Sequence, residues 1–232
     1  MLLVKLPVSW LLPLVPNVLH CRHPEGSAWA GRCGDASLVL GTSAPLALGS
    51  IQWDLHPWQL ARGRIALDIR ASQGTDSVAA EVRVFKGGID VFGGQGTLSL
   101  SRLPPRYVRG WRGTLHVDAL HLRTESGRLR AIDGDIRLLD LQSPQAVRWG
   151  SFRLNLPPAP AGAPSSGQFS VLTGTLQASG TATLDERGDW QLDAAVRPTK
   201  GTDAALVAEL GLLGPPDTSG LRRLSVAGSQ GS

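Results

Sequence analysis

The sequence predicts an all-β protein: a long, curved antiparallel meander sheet with one short C-terminal helix packed on its apolar face. Three observations predict it. From residue 28 onward apolar and polar side chains alternate with period two, the pattern of strands with one face covered and one face wet. Turn residues punctuate the alternation every ten to fifteen residues or so, as in an antiparallel meander. One stretch, 201–220, carries convincing helix boundaries. With 232 residues and 42% apolar content the chain is long enough to support a core, as one large all-β domain or two small ones.

The strands follow in order. "GRIALDIRA" puts Ile65, Leu67 and Ile69 on one face and Arg64, Asp68 and Arg70 on the other. "SVAAEVRVF" sets Val82 and Val84 against Glu81 and Arg83, and "GTLSLSRL" alternates Leu98 and Leu100 with serines. "GTLHVDALHL" alternates and then slips one residue near Ala119, which predicts a bulge. "SFRLNL" aligns Phe152, Leu154 and Leu156; "WQLDAAVRP" aligns Trp190, Leu192, Ala194 and Val196. The segments "SQGTD", "FKGG", "TESGR", "AIDGD" and "DERGD" read as turns. Gly96-Thr97, Gly113-Thr114, Gly174-Thr175 and Gly180-Thr181 read as strand openings, without the fixed period of a propeller or solenoid.

Two interruptions stand out. Residues 155–168, "NLPPAPAGAPSSGQ", read as a flexible Pro/Ala/Gly/Ser loop, either a linker between two halves of a sheet or a disordered excursion. In 201–220, Thr202 or Asp203 can cap a helix that Ala204 to Leu213 propagate and Gly214-Pro215-Pro216 stop. With Glu209 its one charge, that helix is expected to cover the apolar face.

The N-terminal "MLLVKLPVSWLLPLVPNVL" is apolar but broken by Pro7, Pro13 and Pro16, and it holds Lys5. It is short of the ~20 residues that span a bilayer. Residues 1–19 read as a Pro-rich lead-in, either packed on the body or the remnant of a membrane anchor; 20–232 form the β domain. Cys21 and Cys33 flank a Pro-Glu-Gly turn, and a hairpin there can bring them within disulfide range, placing the chain in an oxidising compartment. A Cys2His2 zinc site with His20 and His23 is a formal alternative, at a spacing unlike a known finger; two free buried thiols are another.

Of twelve aromatic residues seven are Trp, and several neighbour Gly or Pro, as in "GSAWAGRC". Small strand residues let an indole lie across the neighbouring backbone, so Trp29 is expected at a core-facing strand position. Catalytic motifs are missing: there is no G-x-S-x-G, phosphate loop, H-E-x-x-H or EF-hand loop. "GGQG" at 93–96 reads as a turn. His116 and His121 read as wet-face residues rather than a metal pair, and Asp133-Gly134-Asp135 as a hairpin turn rather than an acid–base pair. The sequence nominates no catalytic, cofactor-binding or metal-binding residue, and a net charge of +4 without a basic block argues against a nucleic-acid partner. What remains is surface: exposed sheet edges that recruit another strand.

An ordered series of segments resembles the type II secretion system protein N family. "KLPVSWLLPLVPNVLHC…GSAWAGRC" is similar to that family's Leu-Pro-small-small-Trp segment and its Gly-(Ser/Thr)-small-Trp-x-Gly strand, matching Trp10, Gly26, Trp29 and Gly31. "IQWDLHPWQLARGRIAL" resembles its W-x-L-x-P segment and Gly-opened strand, with Trp53, Leu55, Pro57, Leu60 and Gly63 in place. "PPRYVRGWRGTLHVDALHL" matches a further Gly-opened strand, "QAVRWGSFRL" a later strand with Trp149, and "LGLLGPPDTSGLRRLSVAGS" the terminal pattern with Gly214. The family's Leu-Pro segment follows a transmembrane helix, most of which is expected to be missing here because Leu6-Pro7 lies so near Met1.

The resemblance implies a non-enzymatic inner-membrane protein of Gram-negative bacteria with its functional domain in the periplasm. Its implied partners are the outer-membrane secretin and the inner-membrane secretion platform, which it would bridge or stabilise. A more distant likeness to envelope proteins with curved sheets supplies an alternative, a lipid-binding module that cradles an acyl chain in a β-sheet groove. A third possibility, an enzyme or another soluble β domain, predicts a polar cleft with perturbed ionisable groups.

Overall fold

The computed structural model of the chain describes residues 19–39, 46–103, 108–160 and 163–228. Trp10 lies outside them. The described strands are β1 Leu19–His20, β2 His23–Gly26, β3 Ala30–Leu38, β4 Leu46–Leu55, β5 Ile65–Gln73, β6 Asp76–Phe85 and β7 Gly88–Ser99. They continue with β8 Arg112–Glu125, β9 Arg128–Gln142, β10 Arg148–Leu156, β11 Ser165–Thr173, β12 Leu176–Leu184, β13 Trp190–Pro198 and β14 Arg222–Gly228. A single helical turn, α1 (Pro57–Leu60), joins β4 to β5, and α2 (Ala204–Gly211) joins β13 to β14.

All of these strands belong to one 14-stranded sheet. From β3 to β14 each strand pairs antiparallel with the next, so the predicted meander is what forms; β1 and β2 together line the outer side of β3. Register follows from the alternation, because a slip of one residue would turn every side chain over. Trp53 lies opposite Ile69, Leu67 opposite Val82, Val91 opposite Leu122 and Val117 opposite Ile136. Further along, Leu138 faces Phe152, Phe152 faces Val171, Ala178 faces Val196 and Ala194 faces Leu224. One apolar face therefore runs from β4 to β14, with a polar face behind it.

The bulge expected near Ala119 is present. Ala119 has φ +50°, and the β8–β9 register shifts between Asp118 and His121. The extra residue keeps Leu120 and Leu122 on the apolar side and returns His121 to the polar side. It also explains a departure from the sequence reading. "AIDGD" is not a hairpin turn but the interior of β9, with Asp133 paired to His121 and Asp135 to Asp118. Gly134 is there because the bulge crowds it: a Cβ would come 2.9 Å from the Leu120 Cα, and its φ is +146°. The Asp-Gly signal marked a close backbone approach, not a reversal. Gly96 and Gly180 likewise lie inside β7 and β12 rather than opening strands, and "GGQG" lies within β7 rather than in a turn. Gly113, near the start of β8, and Gly174-Thr175, just before β12, fit the opening role.

The buried core sits in two places. At the C-terminal end α2 lays Leu206 (1% exposed) and Leu210 (0%) over Phe152, Leu176 and Val196. Asp203 caps the helix by accepting from the Ala205 N–H at 2.9 Å, and the helix ends at Gly211 rather than Leu213. Glu209 ties the helix to the sheet: its carboxylate accepts from the Ser143 hydroxyl at 2.7 Å and from the Trp149 indole N–H at 2.6 Å. The second cluster, Cys33, Ala36 and Ile51, lies at the N-terminal end. Between them the apolar face has no second layer among the described residues. The accessible surface is 14602 Å², against the about 10,000 Å² expected of a compact monomer of this mass.

The segment 155–168 contributes its ends to β10 and β11, which pair antiparallel across the connection between them, so the sheet is continuous there.

Candidate interaction surfaces

At the N-terminal corner Cys21 and Cys33 form a disulfide with Cα atoms 5.8 Å apart. This overturns the zinc and free-thiol alternatives, since both sulfurs are used. The family-motif residues of this corner come together. Gly26 ends β2 with φ +94°. Trp29 occupies the turn between β2 and β3, not a strand, and is half-buried; the buried residue beside it is Ala28. Trp29 holds the corner through its backbone, its carbonyl accepting from the Leu55 N–H at 2.6 Å. Indoles lie across glycines elsewhere on the sheet: a Cβ on Gly31, the residue opposite Trp53, would collide with the Trp53 ring, and one on Gly228, opposite Trp190, with the Trp190 ring. On the polar side a recess of about 420 Å³ is lined by residues including Glu25, Arg32, Asp54, Asp68 and Arg70. The Arg32 guanidinium reaches Glu25 at 2.6 Å.

Pro57 begins α1, and Gly63 takes φ +68° in the turn before β5. Trp149 lies in the other core, bonded to Glu209 and packed edge-on against Trp111 with ring centroids 5.3 Å apart. Gly214 has φ +103° just past α2, and its carbonyl accepts from the Arg222 guanidinium. The motif residues are thus shared between two structural corners and do not converge on one site.

The polar face carries ion ladders. His121 sits between two carboxylates, its Nδ1 2.9 Å from Asp133 and its Nε2 2.9 Å from Asp90. Phe92 stacks on the imidazole at 4.6 Å, and the Arg83 guanidinium lies 4.3 Å over Phe92. The hydrogen bond from Arg83 to Glu81 holds the guanidinium above its ordinary value, with Asp90 adding to the effect. His116 contacts the Thr97 hydroxyl through Nδ1 at 2.9 Å and Asp118 through Nε2 at 3.4 Å. Asp135 is held by Arg137 and Arg153. Among the described residues no group of three His, Cys, Asp or Glu side chains is arranged to hold a metal ion.

The Asp90–His121–Asp133 ladder was not readable as a unit, because its members come from three strands. The alternation in β7 and β8, with a bulge in each, was the signal that aligns them. β14 was also missed as a strand, although "RRLSVAG" alternates Leu224 and Val226 with Arg223 and Ser225.

These features define a class: an all-β protein built on one antiparallel sheet. The family follows from a family-model match. The chain belongs to the type II secretion system (T2SS) protein N family, whose model matches residues 17–225. No curated protein and no solved structure matches the chain. It is accordingly a component of type II secretion, a member of an envelope machine, and its partners include other components of that machine. Among the described residues no helix is long and apolar enough to cross a membrane.

Proposed function

We propose that the chain is a non-enzymatic periplasmic strut of the type II secretion machinery, which bridges or stabilises the inner-membrane platform and the outer-membrane secretin. The family match over residues 17–225 carries this reading. The architecture supports it. Thirteen strands stacked in one path give a sheet roughly 60 Å across at the usual strand spacing. Such a sheet offers a wide face and, at β14, an open edge for docking. The disulfide fits an oxidising compartment, and the family match supports an inner-membrane address.

Affinity capture with the tagged full chain from gently solubilised envelopes tests the reading. Co-purification of secretin and platform subunits is expected, without catalytic turnover. Recovery of the folded, disulfide-bonded chain with neither partner would sink it, and stoichiometric phospholipid in that sample would point to lipid carriage instead.

A further inference from the structure

The two edges of the sheet are built differently. The N-terminal edge is blunted by devices that stop strand addition. It consists of two short pieces, β1 and β2, broken at Cys21 and Arg22, with Pro24 in β2 and the disulfide tying it to β3. The C-terminal edge has none of these. β14 runs unbroken for seven residues, Arg222–Gly228, without proline or bulge, fully in register with β13. Its other side pairs with no strand among the described residues.

The side chains of β14 are self-complementary. We propose that two copies of the chain join β14 to β14, antiparallel about a two-fold axis at Ser225. In such a pairing facing residues share a side of the sheet, so the apolar faces of both copies continue into one another. Registers centred on Leu224 or Val226 pair only part of the strand. The register centred on Ser225 uses every residue from Arg222 to Gly228. It sets Leu224 opposite Val226 of the other copy, an apolar pair on the apolar face. It sets Arg222 opposite Gly228 and Arg223 opposite Ala227, each long cation against a small residue. The arginines of the two copies end at opposite ends of the joint, so like charges do not meet. Val226, 39% exposed in the single chain, gains a neighbour. The proposal rests on the scaffold reading above, in which a free edge is the binding element, and names the edge and its occupant.

The test uses the purified full chain. Light scattering over a dilution series should show a monomer–dimer equilibrium. Ser225→Cys should form a reducible interchain crosslink on oxidation, because directly opposed Cα atoms lie about 4.5–5.5 Å apart, within disulfide range. Arg223→Cys, displaced from its own copy across the axis, should not. Ala227 and Arg223 are both exposed, so charge at 227 can be changed without touching the core. Ala227→Arg should weaken the dimer, and Ala227→Glu should tighten it, each roughly three- to tenfold in Kd. A chain that stays monomeric throughout overturns the proposal. So does a dimer that fails to crosslink at 225, or one that responds alike to Ala227→Arg and Ala227→Glu. A monomer that still captures secretion subunits would remove this inference and leave the proposed function standing; a dimer that captures none would do the reverse.

Discussion

The two ends of the sheet are fastened by different physics. At the C-terminal end α2 presses Leu206 and Leu210 onto Phe152, Leu176 and Val196, and Glu209 pins the helix to Trp149. At the N-terminal end the buried residues are small, Cys33 and Ala36 beside Ile51, and a covalent link closes the edge. Where a second layer exists, buried apolar area stabilises the sheet. Where it does not, the disulfide limits the freedom of the unfolded chain. A one-layer sheet needs such fastening at its margins, because its middle strands hold one another but its ends fray.

The contrast can be broken hardest at the helix. Leu210→Ala should cost about 4 kcal/mol, since the site is closed on all sides and leaves a cavity. Urea unfolding followed by far-ultraviolet circular dichroism reads this, with amide protection in β3 and β4 largely kept. Reducing Cys21–Cys33, separated by 12 residues, should cost about 3 kcal/mol. Hydrogen exchange should then show β3 and β4 opening while β13 stays protected. If both ends lose protection together, the two fastenings are one cooperative unit and the contrast fails.

Gly134→Ala probes the span between the ends. A methyl group there meets the backbone of Leu120 at a positive φ, for an expected loss of about 2 kcal/mol, read as a shifted denaturant midpoint. The smallest effect is electrostatic. The Ser219 hydroxyl and the Leu221 and Ser219 N–H groups bond the Asp217 carboxylate and hold it below its ordinary value of 3.8. Its folded value is depressed, so its stabilisation is present above 3.8 and lost as pH falls through the lower folded value. The protection factors of the Ser219 and Leu221 amides, taken against the intrinsic exchange rate at each pH, should therefore fall in acid, and Asp217→Asn should remove that fall without disturbing either core.

Much of this was legible because period two is a local signal. The alternation in Ile65–Ile69, Leu115–Val117 and Trp190–Val196 fixed which residues face together, and the slip at Ala119 announced its bulge. The helix was legible from its cap at Asp203 and the Gly-Pro-Pro beyond it. Trp29, expected at a core-facing strand position, sits in the turn before β3, while the indoles of Trp53 and Trp190 lie over Gly31 and Gly228. In both cases the glycine is the residue across the ladder from the indole, not a neighbour in sequence.

By itself, then, the sequence determined β5 to β8, β10 and β13, their faces and the site of the helix, since each depends on residues within a few positions of one another. Only the tertiary structure decided that Asp133-Gly134 is a crowded mid-strand position, that Asp90, His121 and Asp133 form one ladder, and that the two sheet edges differ. Those facts depend on which strand lies beside which, and backbone proximity between strands leaves no periodic trace along the chain.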